Sequence, residues 1–323
     1  MKDLERRGSE GGLNFRLAAR DDIPATVALL NQTFRTPMDE ATWEWYLYGN
    51  PFGVSRVYLA IEAETEAIAG VFAFTPLPLR LRGVSTMGSS GHHLCLTRER
   101  HGGTALIALS RYALAGETNH GVVLAIGLPN RRSHQPQKVL MKWIDLYTLD
   151  CLYKLSPAAR QHNCKPLDRF DAGFDRFYGR LQQRFEFLID KNSAWMNWRF
   201  CGRPGHPYTV AAVECGGELA GYTVLKRWRE PDGYTKAHIV DLHALDEASL
   251  GELLTAAESY AAGCDELNLW SAPGFPYRRL LEAHGFSARA ESGQPLIAKA
   301  LGNVVVHLDG PAGFSYADGD FVY

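Results

Sequence analysis

The spacing of apolar residues changes repeatedly along this chain, and each change marks an element. Asn14 to Ala19 reads as a first strand. Asp21-Asp22 ahead of Ile23-Pro24 is a helix start, with aspartate to cap the first turn and proline inside it; Ala25 to Phe34 continues that helix. Met38 to Tyr48, carrying Trp43, Trp45 and Tyr46, is a second helical stretch. Val57 to Glu62 and Ile68 to Pro76 read as strands around a charged turn, and Val84 to Leu96 as a further strand. Thr104 to Ala115 is apolar around much of its circumference, which predicts a well-buried helix. Val122 to Ile126 is a continuous apolar run, as an interior strand shows. A helical stretch and a strand over Trp143 to Tyr153 complete the order βααβββαβαβ.

The polar and basic region Ser156 to Arg184, with Pro157, Pro166 and Gly173, reads as a linker with room for a helix. Beyond it the pattern repeats. Ala194-Trp195…Trp198-Arg199…Pro204-Gly205 echoes Ala41…Trp43-Glu44-Trp45-Tyr46…Pro51-Phe52-Gly53, with the same interval from Trp198 to Pro204 as from Trp45 to Pro51. Glu218 to Tyr222 mirrors Ala67 to Val71; Val240 to Ala244 is strand-like, Ala248 to Ala262 helical and Glu266 to Trp270 strand-like again. The chain therefore divides into a loose tail (1–12), a first domain (13–155), a linker (156–184), a second domain (185–301) and a closing tail (302–323).

Composition narrows the functional classes. With 323 residues, 46% hydrophobic and 22% charged, the chain is comfortable as two globular domains. A net charge of −2 gives no reason to expect nucleic acid or an anionic membrane as partner. No apolar run approaches transmembrane length and no signal-peptide core is present, so a cytoplasmic setting is expected. Cys95, Cys151, Cys164, Cys201, Cys215 and Cys264 are scattered without a C-x-x-C pair and read as buried free thiols.

The candidate chemistry gathers at Leu94 to Leu109, LCLTRERHGGTALIAL. Here a strand runs through Arg100-His101-Gly102-Gly103-Thr104-Ala105, an R-x-x-G-x-A turn, into a helix. Paired glycines let backbone approach a ligand, and the unpaired N–H groups of a helix's first turn favour an anion such as a pyrophosphate. The turn is neither a P-loop nor G-x-G-x-x-G. It resembles the acyl-CoA signature Q/R-x-x-G-x-G/A of the GNAT superfamily of N-acyltransferases. Two further features are similar to that family: Gly127-Leu128-Pro129-Asn130 with Ser133 at the end of the following strand, and Leu281-Glu282-Ala283-His284-Gly285-Phe286 near the close of the second half. The resemblance implies an α+β fold with two tandem GNAT-like domains, each a mixed central sheet flanked by helices. Only the first keeps the acyl-CoA motif, because His243 to Leu254 has no paired glycines.

That resemblance implies an acetyl-CoA or short acyl-CoA co-substrate. Arg100, His101, Gly102, Gly103, Thr104 and Ala105 would hold the pyrophosphate. Asn130 and Ser133 would mark where the strand splays to admit the pantetheine arm. The backbone of Leu94, Cys95 and Leu96 would polarise the thioester. His92 and His93 lie just upstream, and alternation along a strand sends them to opposite faces. His93, which shares parity with Cys95, is the favoured general base, since imidazole accepts protons near neutral pH. Packing on the strand is the competing reading for both histidines. Many relatives carry a Tyr as acid where Pro136 and Gln137 stand here; Tyr147 and Tyr153 are alternatives that nothing in the sequence selects. Trp43, Trp45, Trp195 and Trp198 read as packing or as an aromatic acceptor pocket. Arg199 reads as an ion-pair or phosphate partner. The tail's Asp318-Gly319-Asp320 reads as a turn, with ligand or metal carboxylates as the alternative, and no metal site is assigned.

Three functions remain in play. The first is an N-acyltransferase acting on a small-molecule amine, with an amino sugar or nucleotide-linked amino sugar as acceptor class. The second is a non-catalytic CoA-binding module. The third is a Fem-type aminoacyl transferase, which needs a basic groove that the acidic balance disfavours. A homodimer is compatible with each.

Overall fold

The computed structural model describes residues 8–34, 37–97, 103–205, 208–290, 293–302 and 310–318. Two units emerge from its contacts: Met1–Pro78 with Thr86–Leu146 and Leu296–His307, and Leu79–Ser85 with Tyr147–Pro295 and Leu308–Tyr323. Neither is continuous in the chain.

The first unit contains β1 (Gly8–Glu10), β2 (Leu13–Leu17), α1 (Ile23–Thr33), α2 (Glu40–Tyr48), β3 (Arg56–Glu62) and most of β4 (Ile68–Leu81) and β5 (Val84–Leu96). It continues through α3 (Gly103–Asn119), β6 (Leu124–Gly127) and α4 (Arg131–Met141). β1 was expected to be loose tail; it pairs antiparallel with β2 because Gly11 and Gly12, at φ 61° and 79°, make the tight turn that left-handed backbone allows. The strands lie in the order β1-β2-β3-β4-β5-β6. β5 and β6 run parallel, with α3 between them in sequence. Two apolar layers form on this sheet. Phe15, Tyr58, Phe72, Phe74, Leu96, Leu109 and Trp143 pack in one, Ile23, Leu30, Trp43, Leu59, Val71 and Cys95 in the other.

One polar contact locks α3 to the sheet. Glu117 is fully buried and accepts from Arg56 at 2.6 and 2.7 Å and from the Tyr58 hydroxyl at 2.9 Å. Gly116 leaves room for this: a Cβ there would sit 2.4 Å from the Tyr58 ring.

The second unit runs through β7 (Ile144–Leu155), β8 (Lys165–Pro166), α5 (Ala172–Leu181), β9 (Phe187–Ile189), α6 (Ser193–Met196), β10 (Thr209–Cys215) and β11 (Glu218–Arg229). It then takes β12 (Thr235–Ala244), α7 (Glu247–Tyr260), β13 (Glu266–Ser271), α8 (Arg278–Ala283) and β14 (Ser287–Ala288); from Leu296 the chain is back in the first unit, where β15 (Gln294–Ala300) pairs with β6. Its strand order is β8-β10-β11-β12-β13-β7, with β12 and β13 parallel and α7 between them in sequence. The stretch read as a linker supplies core instead: Phe174, Phe177 and Tyr178 of α5 are buried, and Phe174 and Phe177 lie against Tyr222 of β11. Part of the closing tail is packed as well. Phe314 stacks on Phe187 with centroids 4.9 Å apart.

Lys191 sits at the centre of that packing, fully buried, 3.0 Å from Asp241 and 2.8 Å from Asp318. Tyr222 and Ser315 donate to Asp241. Asp318, read as part of a turn, does end one (Tyr316–Asp318), and its carboxylate is committed to this buried cluster; Gly319 and Asp320 lie outside the described residues. The cysteines are free, as read, yet Cys201 and Cys215 are exposed rather than buried, since they sit at element ends. No helix among the described residues is long and apolar enough to cross a membrane.

Candidate active site

The first unit's β5–α3–β6 segment builds the site. The parallel ladder between β5 and β6 starts at Gly88↔Leu124 and ends at Gly91↔Gly127. β5 then continues five residues to Leu96, whereas β6 stops and the chain turns through Pro129 into α4. The two strands therefore part company beyond Gly91 and Gly127. Phe72, Phe74 and Trp143 pack beneath this point, and a Cβ on Gly91 would lie 3.0 Å from the Phe74 ring.

Asn130 and Ser133 stand just beyond the end of β6. Asn130 caps α4, its side-chain oxygen accepting from the backbone of Arg132 and Ser133 at 3.0 Å, and the Ser133 hydroxyl donates to the Asn130 carbonyl at 3.3 Å. Of the elbow, Arg100, His101 and Gly102 lie outside the described residues. Gly103 and Thr104 are exposed at the start of α3, and Ala105 packs partly on the core. Among the described residues, a Cβ built on Gly103 meets only Leu140, at 4.0 Å. Among the described residues the Cβ position of Gly103 thus faces open space, at a helix start whose dipole favours an anion.

Leu94 and Leu96 turn to the α3 side of the sheet, where Leu96 is buried. Cys95 turns to the α1–α2 side, where burial pushes its thiol up to about 11. Cys95 is therefore a core residue in its side chain, and only its backbone remains a candidate near a thioester.

The histidines correct one expectation. Simple alternation would separate them, yet their Nδ1 atoms are 2.6 Å apart. The cause is the backbone of His93, which adopts φ 51° and acts in the manner of a β-bulge residue, interrupting the alternation. Both rings consequently meet the aromatic face of α2. His93 lies edge-on to Trp43 at 5.2 Å and to Phe34 at 5.5 Å, and His92 to Tyr46 at 4.8 Å. Trp43 and Tyr46 stack nearly parallel, 2° between planes. Trp43 is thus committed to the histidine pair and the core rather than to an open pocket.

His92 is buried, and its Nε2 lies 2.9 Å from the Thr75 hydroxyl. Burial, and then the neighbouring His93, hold its imidazole well below the usual histidine range, so His92 stays neutral. His93 is half-buried. Thr75 continues to the Ser55 hydroxyl at 3.0 Å, and Ser55 donates to the Tyr46 carbonyl at 3.1 Å. Neither Thr75 nor Ser55 was singled out by sequence; a lone threonine inside the apolar run of β4 is the only signal there was.

The acid candidates fare differently. Pro136 is inside α4, and Gln137 is buried with its backbone carbonyl accepting from Lys142 and Trp143. Tyr147 and Tyr153 belong to the second unit, where Tyr147 donates to the Gly310 carbonyl and Tyr153 lies under Arg289. Trp195 is buried beside the Lys191 ammonium, and Arg199 donates to the Ala317 carbonyl rather than presenting an open phosphate site. Among the described residues no group of three or more His, Cys, Asp or Glu side chains is arranged to hold a metal ion.

The fold is shared with solved N-acyltransferase structures. No family model and no curated protein matches the sequence. Solved structures do match in fold. A GCN5-related N-acetyltransferase from Anabaena variabilis ATCC 29413 superposes with a TM-score of 0.69 at 14% identity, covering 90% of this chain and 73% of that one. Saccharomyces cerevisiae N-myristoyltransferase with bound myristoyl-CoA gives 0.65 at 12% identity, covering 92% and 85%. A putative acetyltransferase from Pyrococcus horikoshii gives 0.63 at 13% identity, covering 97% and 96%.

Proposed function

We propose that this chain is an acyl-CoA-dependent N-acyltransferase that moves an acetyl or other short acyl group to the amine of a small molecule. The observation that carries the proposal is the parting of β5 from β6 beyond Gly91 and Gly127, directly ahead of an α3 where the Cβ position of Gly103 faces open space among the described residues. A pantetheine arm fits such a gap, and the α3 amides suit a pyrophosphate. The fold shared with an N-myristoyltransferase solved with myristoyl-CoA supports the same donor class. Arg100, His101, Gly102, Gly103, Thr104 and Ala105 would form the pyrophosphate turn, with Asn130 and Ser133 at the mouth of the gap. We further propose that the two units are tandem GNAT-like domains, of which the first binds the donor.

In this reading the amine reaches the site as an ammonium ion and gives one proton to His93. Its nitrogen attacks the thioester carbonyl, whose developing oxyanion is met by backbone N–H near Leu94, Cys95 and Leu96. The C–N bond forms, the C–S bond breaks, a second proton leaves the nitrogen for the departing thiolate sulfur, and the products are the amide and CoA thiol, with the first proton on His93 passing to solvent. Amino sugars, nucleotide-linked ones included, head the acceptor panel. The test is release of free thiol from acetyl-CoA, measured with a chromogenic disulfide across that panel. Amine-dependent release supports the reading. Acyl-CoA binding without release from any amine would leave the non-catalytic module.

A further inference from the structure

The hydroxyls of Ser55 and Thr75 belong to no motif, yet together with the histidines they form a continuous chain of hydrogen bonds. The chain begins at the Tyr46 carbonyl, one of the last carbonyls of α2. A carbonyl can only accept, so the single Ser55 hydroxyl hydrogen is committed to it, at 3.1 Å. The 3.0 Å contact between Ser55 and Thr75 then needs the hydrogen of Thr75. With that hydrogen spent, Thr75 accepts from His92, and His92 carries its proton on Nε2. Because His92 is buried and neutral, its Nδ1 is a lone pair, and the 2.6 Å contact between the rings requires an N–H on Nδ1 of His93. Each link leaves only one direction for the next. Ser55 and Thr75 are 6% and 4% exposed, so water does not compete for these bonds.

We infer that Ser55 and Thr75 are positioning residues that set the tautomers of both histidines, leaving Nε2 of His93 as the basic nitrogen of the site. The backbone turn at φ 51° brings the His93 ring onto His92, and the chain decides which of its nitrogens takes a proton. The negative end of the α2 dipole lies at the start of the chain and favours hydrogens pointing toward it. When Nε2 takes a proton from the amine, the charge stays on half-buried His93, because His92 is the more deeply buried ring. This inference rests on the acyltransfer reading for its purpose, but the tautomer itself does not depend on turnover.

The experiment is two-bond 1H–15N correlation of the histidine rings in the full chain without ligand, at a pH where His93 is neutral, with His92 and His93 signals assigned by substitution. The wild type is expected to show His93 protonated on Nδ1 and His92 on Nε2. Thr75→Val, which keeps the shape and removes the hydroxyl, should release His92 and shift or mix both patterns, while Thr75→Ser restores them. With a reactive amine, Thr75→Val should lower kcat about ten- to a hundred-fold, part of what a general base supplies, at unchanged KM for acetyl-CoA. Ser55→Ala acts one link further away and serves if Thr75→Val does not fold. Wild-type His93 protonated on Nε2, or spectra unmoved in both variants, overturns the inference. The expected spectra with no turnover of any amine sink the acyltransfer reading alone.

Discussion

Replacing Glu117 with Gln tests whether one buried carboxylate holds α3 in place. Three donors converge on its two oxygens: Arg56 Nε at 2.6 Å, Arg56 Nη2 at 2.7 Å and the Tyr58 hydroxyl at 2.9 Å. A glutamine offers one oxygen and an NH2 group, so one guanidinium N–H meets a donor and the Arg56 charge loses its counterion. Breaking a well-buried pair costs about 3–5 kcal/mol. The Arg56 side chain is 15% exposed and can turn partly to water, which places the cost near the lower end, about 3 kcal/mol. For a unit of this size, each kcal/mol lowers Tm by roughly 2–4 °C, so Glu117→Gln should melt about 6–12 °C below wild type in scanning calorimetry. The pair is also expensive to desolvate, so Arg56→Met combined with Glu117→Leu should recover most of that loss. A single-variant shift of less than about 2 °C would mean that this carboxylate does not hold α3 to the sheet.

Further outcomes follow from the same structure. His93→Gln should lower kcat for amine acylation by about 10²–10⁴-fold with little change in melting temperature, as removal of a general base predicts; full activity in that variant would remove His93 from the mechanism. Lys226 is lowered from 10.5 to about 7, first by burial and then by Arg203 and Arg199. Between those two values the unfolded chain holds a proton that the folded chain does not, so stability should rise with pH across that window, by up to about 1.4 kcal/mol per unit. Below about 7 both states are protonated and this dependence vanishes. Urea unfolding from pH 6.5 to 9.5 should show the rise, and Lys226→Met should flatten it; an unchanged slope would contradict the burial of that ammonium.

Much of the first unit could be read from the sequence because its signals are local. The apolar pattern over Val84 to Leu96 has the observed bounds of β5, and the helical pattern over Thr104 to Ala115 is the core of α3. Apolar spacing and helix-start residues act over one or two turns, within reach of a pattern. The orientation of His92 and His93 was not legible. It depends on a left-handed φ at a residue that is not glycine, and packing against Trp43, Tyr46 and Phe34 accompanies it. Nor could the Ser55–Thr75 link be read, since it joins two segments only after β3 and β4 pair. The Lys191, Asp241 and Asp318 cluster was missed for the same reason. Its charges come from separate elements, and in sequence each looks like an ordinary solvated group.

An acyl-CoA on the α3 elbow should show itself as a thermal shift with acetyl-CoA. The comparison is the wild type with Gly103→Trp, at a position where a Cβ meets only Leu140 among the described residues. Both proteins should melt at the same temperature without ligand. At about a hundred times Kd, acetyl-CoA should stabilise the wild type by roughly 2.7 kcal/mol, a rise of several degrees. The variant should lose that rise. An unmoved wild type, or a variant stabilised as fully as the wild type, would contradict an acyl-CoA on the elbow.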